Sequence, residues 1–172
     1  MCMLRVSAVL LSRSAIVLLA AFLPFVTYAQ ANPKSVDTLL NEAQTALSKG
    51  RPEEAVSLLR RAIDQEPERA DLYLLRSRAR DSSGKFDAAL DDASKYIELK
   101  PNDSVGYLNR ARVYLSLDKK DKALDDANKA ISLAPNDPDG YFRRADIYTD
   151  MGKAAEAKAD EAKADELDKQ AR

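Results

Sequence analysis

Histidine and tryptophan are absent from this 172-residue chain, and cysteine occurs once, at Cys2. Without histidine the chain lacks the side chain best suited to proton transfer near neutral pH, which is also the commonest metal ligand. Beyond residue 2 there is no thiol nucleophile, no thiolate metal ligand and no internal disulfide. Glycine is scarce at 5 residues, and aromatics make up 6% of the chain, Tyr (7) outnumbering Phe (4). Heavy use of alanine with little glycine favours helix. Neither sign of charge dominates, with 27 basic against 28 acidic residues. That excludes the basic excess that nucleic-acid binding demands. What is present, 45% hydrophobic and 32% charged residues, is the balance of a soluble folded protein, and the length suits one domain.

The first 31 residues carry Arg5 and Arg13 but no acid, ahead of an apolar run from Ala15 to Val26 that is broken late by Pro24. Thr27-Tyr28-Ala29 and Ala29-Gln30-Ala31 follow as two small-x-small sites. A charged start, a short apolar core and an Ala-x-Ala site make a secretory signal peptide. The 12-residue run is short of the roughly 20 helical residues that span a bilayer. Val6 to Leu11 is also apolar, so an uncleaved anchor stays open. Residues 1–31 are read as a signal peptide, cleaved after Ala29, after Ala31 or not at all, and residues 32–35 as a short linker. The expected destination is the bacterial periplasm, by secretion across the inner membrane, with membrane contact only if the segment is uncleaved. Cys2 does not follow a small-residue lipid-attachment box. Removal of this segment leaves a net charge of −3 and no cysteine.

The remaining chain repeats itself. Residues 70–103 and 104–137 are identical at 18 of 34 positions, and a fixed period of this size marks a stacked repeat architecture. Pro67, Pro101 and Pro135 punctuate the same interval and divide the chain into units 36–69, 70–103, 104–137 and 138–171. Each unit holds two helical patterns. In the third, Tyr107, Leu108, Ala111, Tyr114 and Leu115 recur at helical steps across Val105 to Leu117. Ala123, Leu124, Ala127, Ala130, Ile131 and Leu133 do so from Asp121 to Leu133. Gly50, Gly84, Asp118 and Gly152 stand at the intervening turns, where a left-handed residue is wanted. Pro52 ahead of Glu53 and Glu54 suits a helix start, and Ser35, Ser104 and Asp137 are candidate N-caps.

These residues resemble the tetratricopeptide repeat family. The family pattern wants a bulky residue fourth in each unit, small residues eighth and twentieth, and proline near the end. Here the fourth is Leu39, Tyr73, Tyr107 and Tyr141, and the eighth is Ala43, Ser77, Ala111 and Ala145. The twentieth is Ala55, Ala89, Ala123 and Ala157, and the twenty-seventh is Ala62, Tyr96, Ala130 and Ala164. Small residues at the eighth and twentieth places let the two helices of a hairpin touch, while the Tyr rings fill the space between hairpins. The resemblance implies an all-α fold, an α-solenoid of about four antiparallel helix-turn-helix repeats after the signal peptide. There are departures. Unit one has Leu39 and Ala46 where larger residues are usual, and unit two has Arg80 where an apolar residue is expected. Unit four lacks the terminal proline, and its second helix, Lys153 to Gln170, is nearly all Ala, Lys, Glu and Asp. It reads as the polar cap that a terminal repeat requires, or as a frayed charged tail.

No catalytic constellation is present, so no enzyme activity, cofactor or metal is expected. Asp91-Asp92 and Asp125-Asp126 recur with the repeat, as do Arg76, Arg110 and Arg144. The shared period makes inter-helix ion pairs a better reading than metal ligands. The resemblance further implies that the first helix of each unit lines a concave groove for a protein or peptide partner. Carried onto this chain, the groove set is Leu74, Arg78, Leu108, Asn109, Arg112, Phe142 and Arg143. Some family members clamp a chaperone's terminal carboxylate. Asn109 and Arg143 match that clamp, whereas Leu74, Arg78 and Asp139 do not. Charged guanidinium contacts to an anionic segment are strong; the alternative is that these arginines only solubilise the groove. The expected function is a non-enzymatic scaffold of the periplasm or cell envelope. The alternative is a self-associating structural protein or a membrane-tethered envelope assembly factor.

Overall fold

Helix follows helix at the predicted interval. The computed structural model describes residues 34–170, so the segment read as a signal peptide lies outside the described residues, as do residues 32 and 33 of the linker. The elements are α1 (Val36–Ser48), α2 (Pro52–Gln65), α3 (Ala70–Ser82), α4 (Phe86–Leu99), α5 (Ser104–Ser116), α6 (Lys120–Leu133), α7 (Pro138–Asp150) and α8 (Ala154–Gln170). No strand occurs among the described residues. The fold is therefore all-α, with four helical hairpins at the unit boundaries read from the prolines.

Local chemistry sets these boundaries. Gly50, Gly84 and Gly152 have φ of 68°, 73° and 74°, and Asp118 takes the same left-handed conformation at 54°. Each lets the chain reverse after the first helix of its unit. Pro52 opens α2, with Glu53 and Glu54 in its first turn, where the helix dipole favours acids. Ser35 caps α1 by accepting from the Thr38 amide, and Asp137 caps α7 by accepting from the Asp139 amide. The expectation for Ser104 is corrected. Ser104 is the first helical residue of α5, and Asp103 is its cap, accepting from the Val105 amide at 3.0 Å. A carboxylate one residue earlier takes the cap because Ser104 already has helical backbone geometry.

Within each hairpin the small residues meet. Ala43 and Ala55, Ser77 and Ala89, and Ala111 and Ala123 are fully buried, and Ala145 and Ala157 nearly so. The Ser77 hydroxyl donates to the Ala89 carbonyl at 2.9 Å, which measures how closely α3 and α4 approach. A larger side chain at these places would cost about 1–3 kcal/mol in overpacking.

A second repeated device ties each hairpin together. Arg76 grips Asp92 with two hydrogen bonds of 2.9 and 2.7 Å, and Arg110 grips Asp126 at 2.8 and 2.9 Å. Arg144 does the same to Asp160 at 2.7 and 2.8 Å. The expected ion pairs are thus present, made in units two and three by the second aspartate of each Asp-Asp pair. These forked contacts are the strong kind, and they consume the buried carboxylates. Each arginine also lies over the tyrosine three residues before it, at 5.6 Å from the Tyr73 ring, 5.9 Å from Tyr107 and 5.7 Å from Tyr141. The hydroxyls of these tyrosines donate to the carbonyls of Pro67, Pro101 and Pro135, at 2.8, 3.0 and 3.2 Å. One residue series therefore stitches each unit to the one before it.

Arg80 is accommodated rather than misplaced. It donates to Asp92 at 2.8 Å and to the Ala88 carbonyl at 3.1 Å, so unit two holds a charged triad where units three and four place Tyr114 and Tyr148. The last helix, α8, turns Ala157, Asp160, Ala164 and Leu167 inward, while Glu156, Lys158, Glu161 and Glu166 face solvent. It is a packed polar cap and not a frayed tail.

The hairpins stack with a consistent sidedness. Besides each helix packing on its chain neighbours, α1 meets α3, α3 meets α5 and α5 meets α7, whereas α2, α4, α6 and α8 do not meet one another. The odd-numbered helices are therefore the inner, closely spaced layer and the even-numbered ones the outer, splayed layer.

Candidate functional site

The inner layer carries a cavity of about 470 Å³ that spans three repeats. Arg78 enters from α3; Val105, Leu108, Asn109 and Arg112 from α5; Asp139, Phe142, Arg143 and Asp146 from α7. Six of the seven residues expected to line the groove are brought together here. The seventh, Leu74, is not. It is half-buried and packs against the hydrophobic cluster of the first two units. Val105, Asp139 and Asp146 also line the cavity and were not among the expected residues. Their place on the first helix of a unit was a usable signal, since the resemblance sets those helices along the groove.

The apolar part of the site is Val105, Leu108 and Phe142. Phe142, at 38% exposure, is the one exposed large hydrophobic side chain among the described residues. The rim holds three guanidinium groups in different states. Arg78 is exposed and has no hydrogen-bond or ion-pair partner among the described residues. Arg143 donates through one terminal nitrogen to Asp146 at 3.0 Å, while its Nε is buried without a hydrogen-bond partner. Arg112 lies between them, paired with Asp81 at 3.3 Å and donating to the Asn109 carbonyl oxygen at 3.2 Å. Burial pushes the Arg112 pKa down; Asp81 opposes this, and the positive charges of Arg78 and Arg143 add to the lowering. Arg112 thus lies close enough to each of the other two cations to be repelled by it.

Asn109 lines the cavity, but its amide is engaged inside the protein. It is 4% exposed, and its nitrogen donates to the Ser77 hydroxyl at 2.7 Å. The carbonyl oxygen accepts from Arg112, so both ends of this buried amide make internal hydrogen bonds. The donors at the rim are the arginines.

The arrangement suits binding. The buried carboxylates Asp92, Asp126 and Asp160 are each held by arginine, and none stands in the cavity. Among the described residues no group of three or more His, Cys, Asp or Glu side chains is placed to hold a metal ion. No described helix is long and apolar enough to cross a membrane.

Three family models, each described as Tetratricopeptide repeat, match residues 40–104, 104–137 and 127–159. The structure is similar to a crystal structure of MamA, with a TM-score of 0.69 and 27% identity over 81% of this chain and 82% of that one. It is also similar to TTC0263, a thermophilic TPR protein of Thermus thermophilus, with a TM-score of 0.72 and 19% identity over 77% and 74%. A third similar structure is the first TPR domain of Spaghetti (RPAP3) bound to the HSP90 peptide SRMEEVD, with a TM-score of 0.63 and 20% identity over 70% and 96%. Below 25% identity such likeness speaks for the fold alone. A comparison with curated proteins finds no match.

Proposed function

The chain belongs to the tetratricopeptide repeat family, and from that premise we propose that it is a non-enzymatic scaffold holding a partner peptide or helix in its inner groove. One observation carries this reading: Phe142 and Leu108 share a cavity with the rim arginines Arg78 and Arg143. An exposed aromatic beside one unpaired and one partly paired guanidinium group suits a segment that brings an apolar anchor flanked by carboxylates. Burial of the anchor and charge-assisted hydrogen bonds would then act together. The HSP90 peptide bound by the Spaghetti domain has adjacent glutamates and an aspartate, which agrees with that chemistry without identifying this chain's partner. The departures from the terminal-carboxylate clamp, at Leu74 and Asp139, favour an internal acidic segment.

The location follows from the sequence of the first 31 residues: secretion across the inner membrane and residence in the periplasm or at the cell envelope. Mass spectrometry of the protein recovered from the envelope tests it. A chain starting at Gln30 or Asn32 supports export with cleavage, and a cytoplasmic chain starting at Met1 overturns it.

The groove is tested by crosslinking the protein to its partners in cell envelope and comparing Arg78→Glu with wild type. Arg78 is the sharpest site because no internal contact depends on it, so helicity and stability stay as they are. Capture falls at least severalfold if the groove is the binding surface. Unchanged capture removes the reading.

A further inference from the structure

Three polar residues at the α3–α5 interface stand at places where other units of the chain have apolar ones. Ser77 stands where units one, three and four have Ala43, Ala111 and Ala145. Asn109 stands where unit two has Leu75, though units one and four have Asn41 and Arg143, and Asp81 stands where units one and three have Leu47 and Leu115 and unit four Thr149. Helix packing at these places is satisfied by apolar residues elsewhere in the same chain, so packing does not call for polar ones here.

With Arg112, their polar atoms form a directed chain. The Arg112 guanidinium donates to Asn109 Oδ1 at 3.2 Å; Asn109 Nδ2 donates to Ser77 Oγ at 2.7 Å; Ser77 donates to the Ala89 carbonyl at 2.9 Å. The order fixes the amide's orientation. Turned over, Asn109 would set its NH2 group against Arg112, which has only donors. Ser77 is fully buried and Asn109 nearly so, and the last acceptor is a backbone carbonyl of α4. Asp81 holds a different nitrogen of Arg112 at 3.3 Å.

We propose that Ser77 and Asn109 are positioning residues, a buried relay that fixes the Arg112 guanidinium as the central cation of the groove. Arg78 has no such support and is left free. The groove thus combines one preorganised guanidinium with one adaptable one. Holding a long side chain before binding removes the ordering cost that a free arginine would meet on contact with an anion. The consequence for binding rests on the groove reading above; the positioning itself does not.

The test is a double variant, Ser77→Ala with Asn109→Leu, which places at both sites residues the chain already uses at the same places in other units. Removing both partners together leaves no buried donor or acceptor of the pair orphaned, so the fold is kept. In nitrogen-15 NMR of the wild-type protein, rotation of the Arg112 guanidinium is slow enough to give separate Nη signals, while Arg78 gives one averaged signal. In the double variant Arg112 collapses to the averaged behaviour of Arg78. Fast rotation of Arg112 in wild type, or slow rotation persisting in the variant, overturns the proposal. A second arm titrates both proteins with the peptide acetyl-Glu-Phe-Glu-Glu-amide, and the variant binds about fivefold more weakly. Equal affinity overturns the consequence for binding. A peptide that binds neither protein counts against the groove reading, and the NMR arm then decides the positioning alone.

Discussion

Gly106 and Tyr96 offer the sharpest test of how the repeats fit together. Tyr96 occupies the place where the other units have Ala62, Ala130 and Ala164, and it is 3% exposed. A Cβ added at Gly106 would stand 2.6 Å from Tyr96 Cδ1, 3.0 Å from Tyr96 Cε1 and 2.9 Å from Ile97 Cγ1. Ordinary carbon contacts lie near ~3.5–4.0 Å. The ring has little freedom to retreat, because its hydroxyl donates to Asp103 at 2.6 Å and Asp103 in turn caps α5. Gly140 is the built-in control. A Cβ there meets Ile131 Cγ1 at 2.8 Å and nothing else closer than 3.6 Å, so the isoleucine contact is common to both sites and the tyrosine is not. Alanine gains about 0.5–1 kcal/mol over glycine in a helix, and overpacking costs about 1–3 kcal/mol. Gly106→Ala is therefore expected to be less stable than Gly140→Ala by about 1–3 kcal/mol. In a Tyr96→Ala background, itself destabilised by about 3–5 kcal/mol, Gly106→Ala becomes neutral or stabilising, a coupling of about 1–3 kcal/mol between the two sites. Urea denaturation followed by far-ultraviolet circular dichroism reads all five proteins. An effect of Gly106→Ala that is the same in both backgrounds would refute the steric account.

Two further predictions follow from single residues. Burial, with help from the hydrogen bond to Asp103, raises the Tyr96 pKa well above its ordinary value. The folded protein therefore keeps this proton at a pH where the unfolded chain, titrating near about 10, has released it. The stability Tyr96 gives is complete below that pH and declines as pH rises further. The advantage of wild type over Tyr96→Phe accordingly shrinks in urea titrations above about pH 10, and a constant difference would contradict it. Asp118 is the one non-glycine residue with positive φ among the described residues. Asp118→Gly should raise stability by a few tenths to about 1 kcal/mol, since the exposed ion pair to Lys120 that it removes is worth little; a lower melting temperature would count against strain at this turn.

The fold was legible because the repeat exposes its own rules. Ala55, Ala89, Ala123 and Ala157 are invariant within the chain since two helices touch there, and Gly50, Gly84 and Gly152 recur because each turn needs positive φ. Such constraints act within one hairpin and leave a local mark. The contacts that escaped the sequence run between hairpins or depend on exact reach. The Tyr73, Tyr107 and Tyr141 hydroxyls find the carbonyl of the preceding proline, six residues back, which spacing alone does not announce. Arg80 looked misplaced because an apolar residue is expected at its place, and its partners, Asp92 and the Ala88 carbonyl, lie on the next helix. The site was legible as a face and not as a set of roles. Asn109 lines the cavity, yet its neighbour across the interface, Ser77, takes one of its donors. Leu74 is not among the residues lining the cavity and packs, half-buried, against the apolar cluster of the first two units.

That difference between a face and its roles bears on what kind of partner fits. Counting every arginine of the cavity as a ligand contact would give three equivalent cations. The hydrogen bonds divide them. Arg112 is held by Asp81 and Asn109, Arg143 is partly held by Asp146, and Arg78 is unheld. Two of the three therefore already have a carboxylate partner, and an anionic ligand need not neutralise the whole cluster. Its gain is greatest near Arg78 and Arg112, since there a negative charge relieves repulsion as well as making new contacts. A cationic ligand would meet the opposite balance, and a purely apolar one would bury these guanidinium groups without acceptors, a cost that Phe142 and Leu108 alone do not offset. On the function proposed above, the groove would select for acid beside an apolar anchor, with its selectivity set by which arginines the fold has left uncommitted.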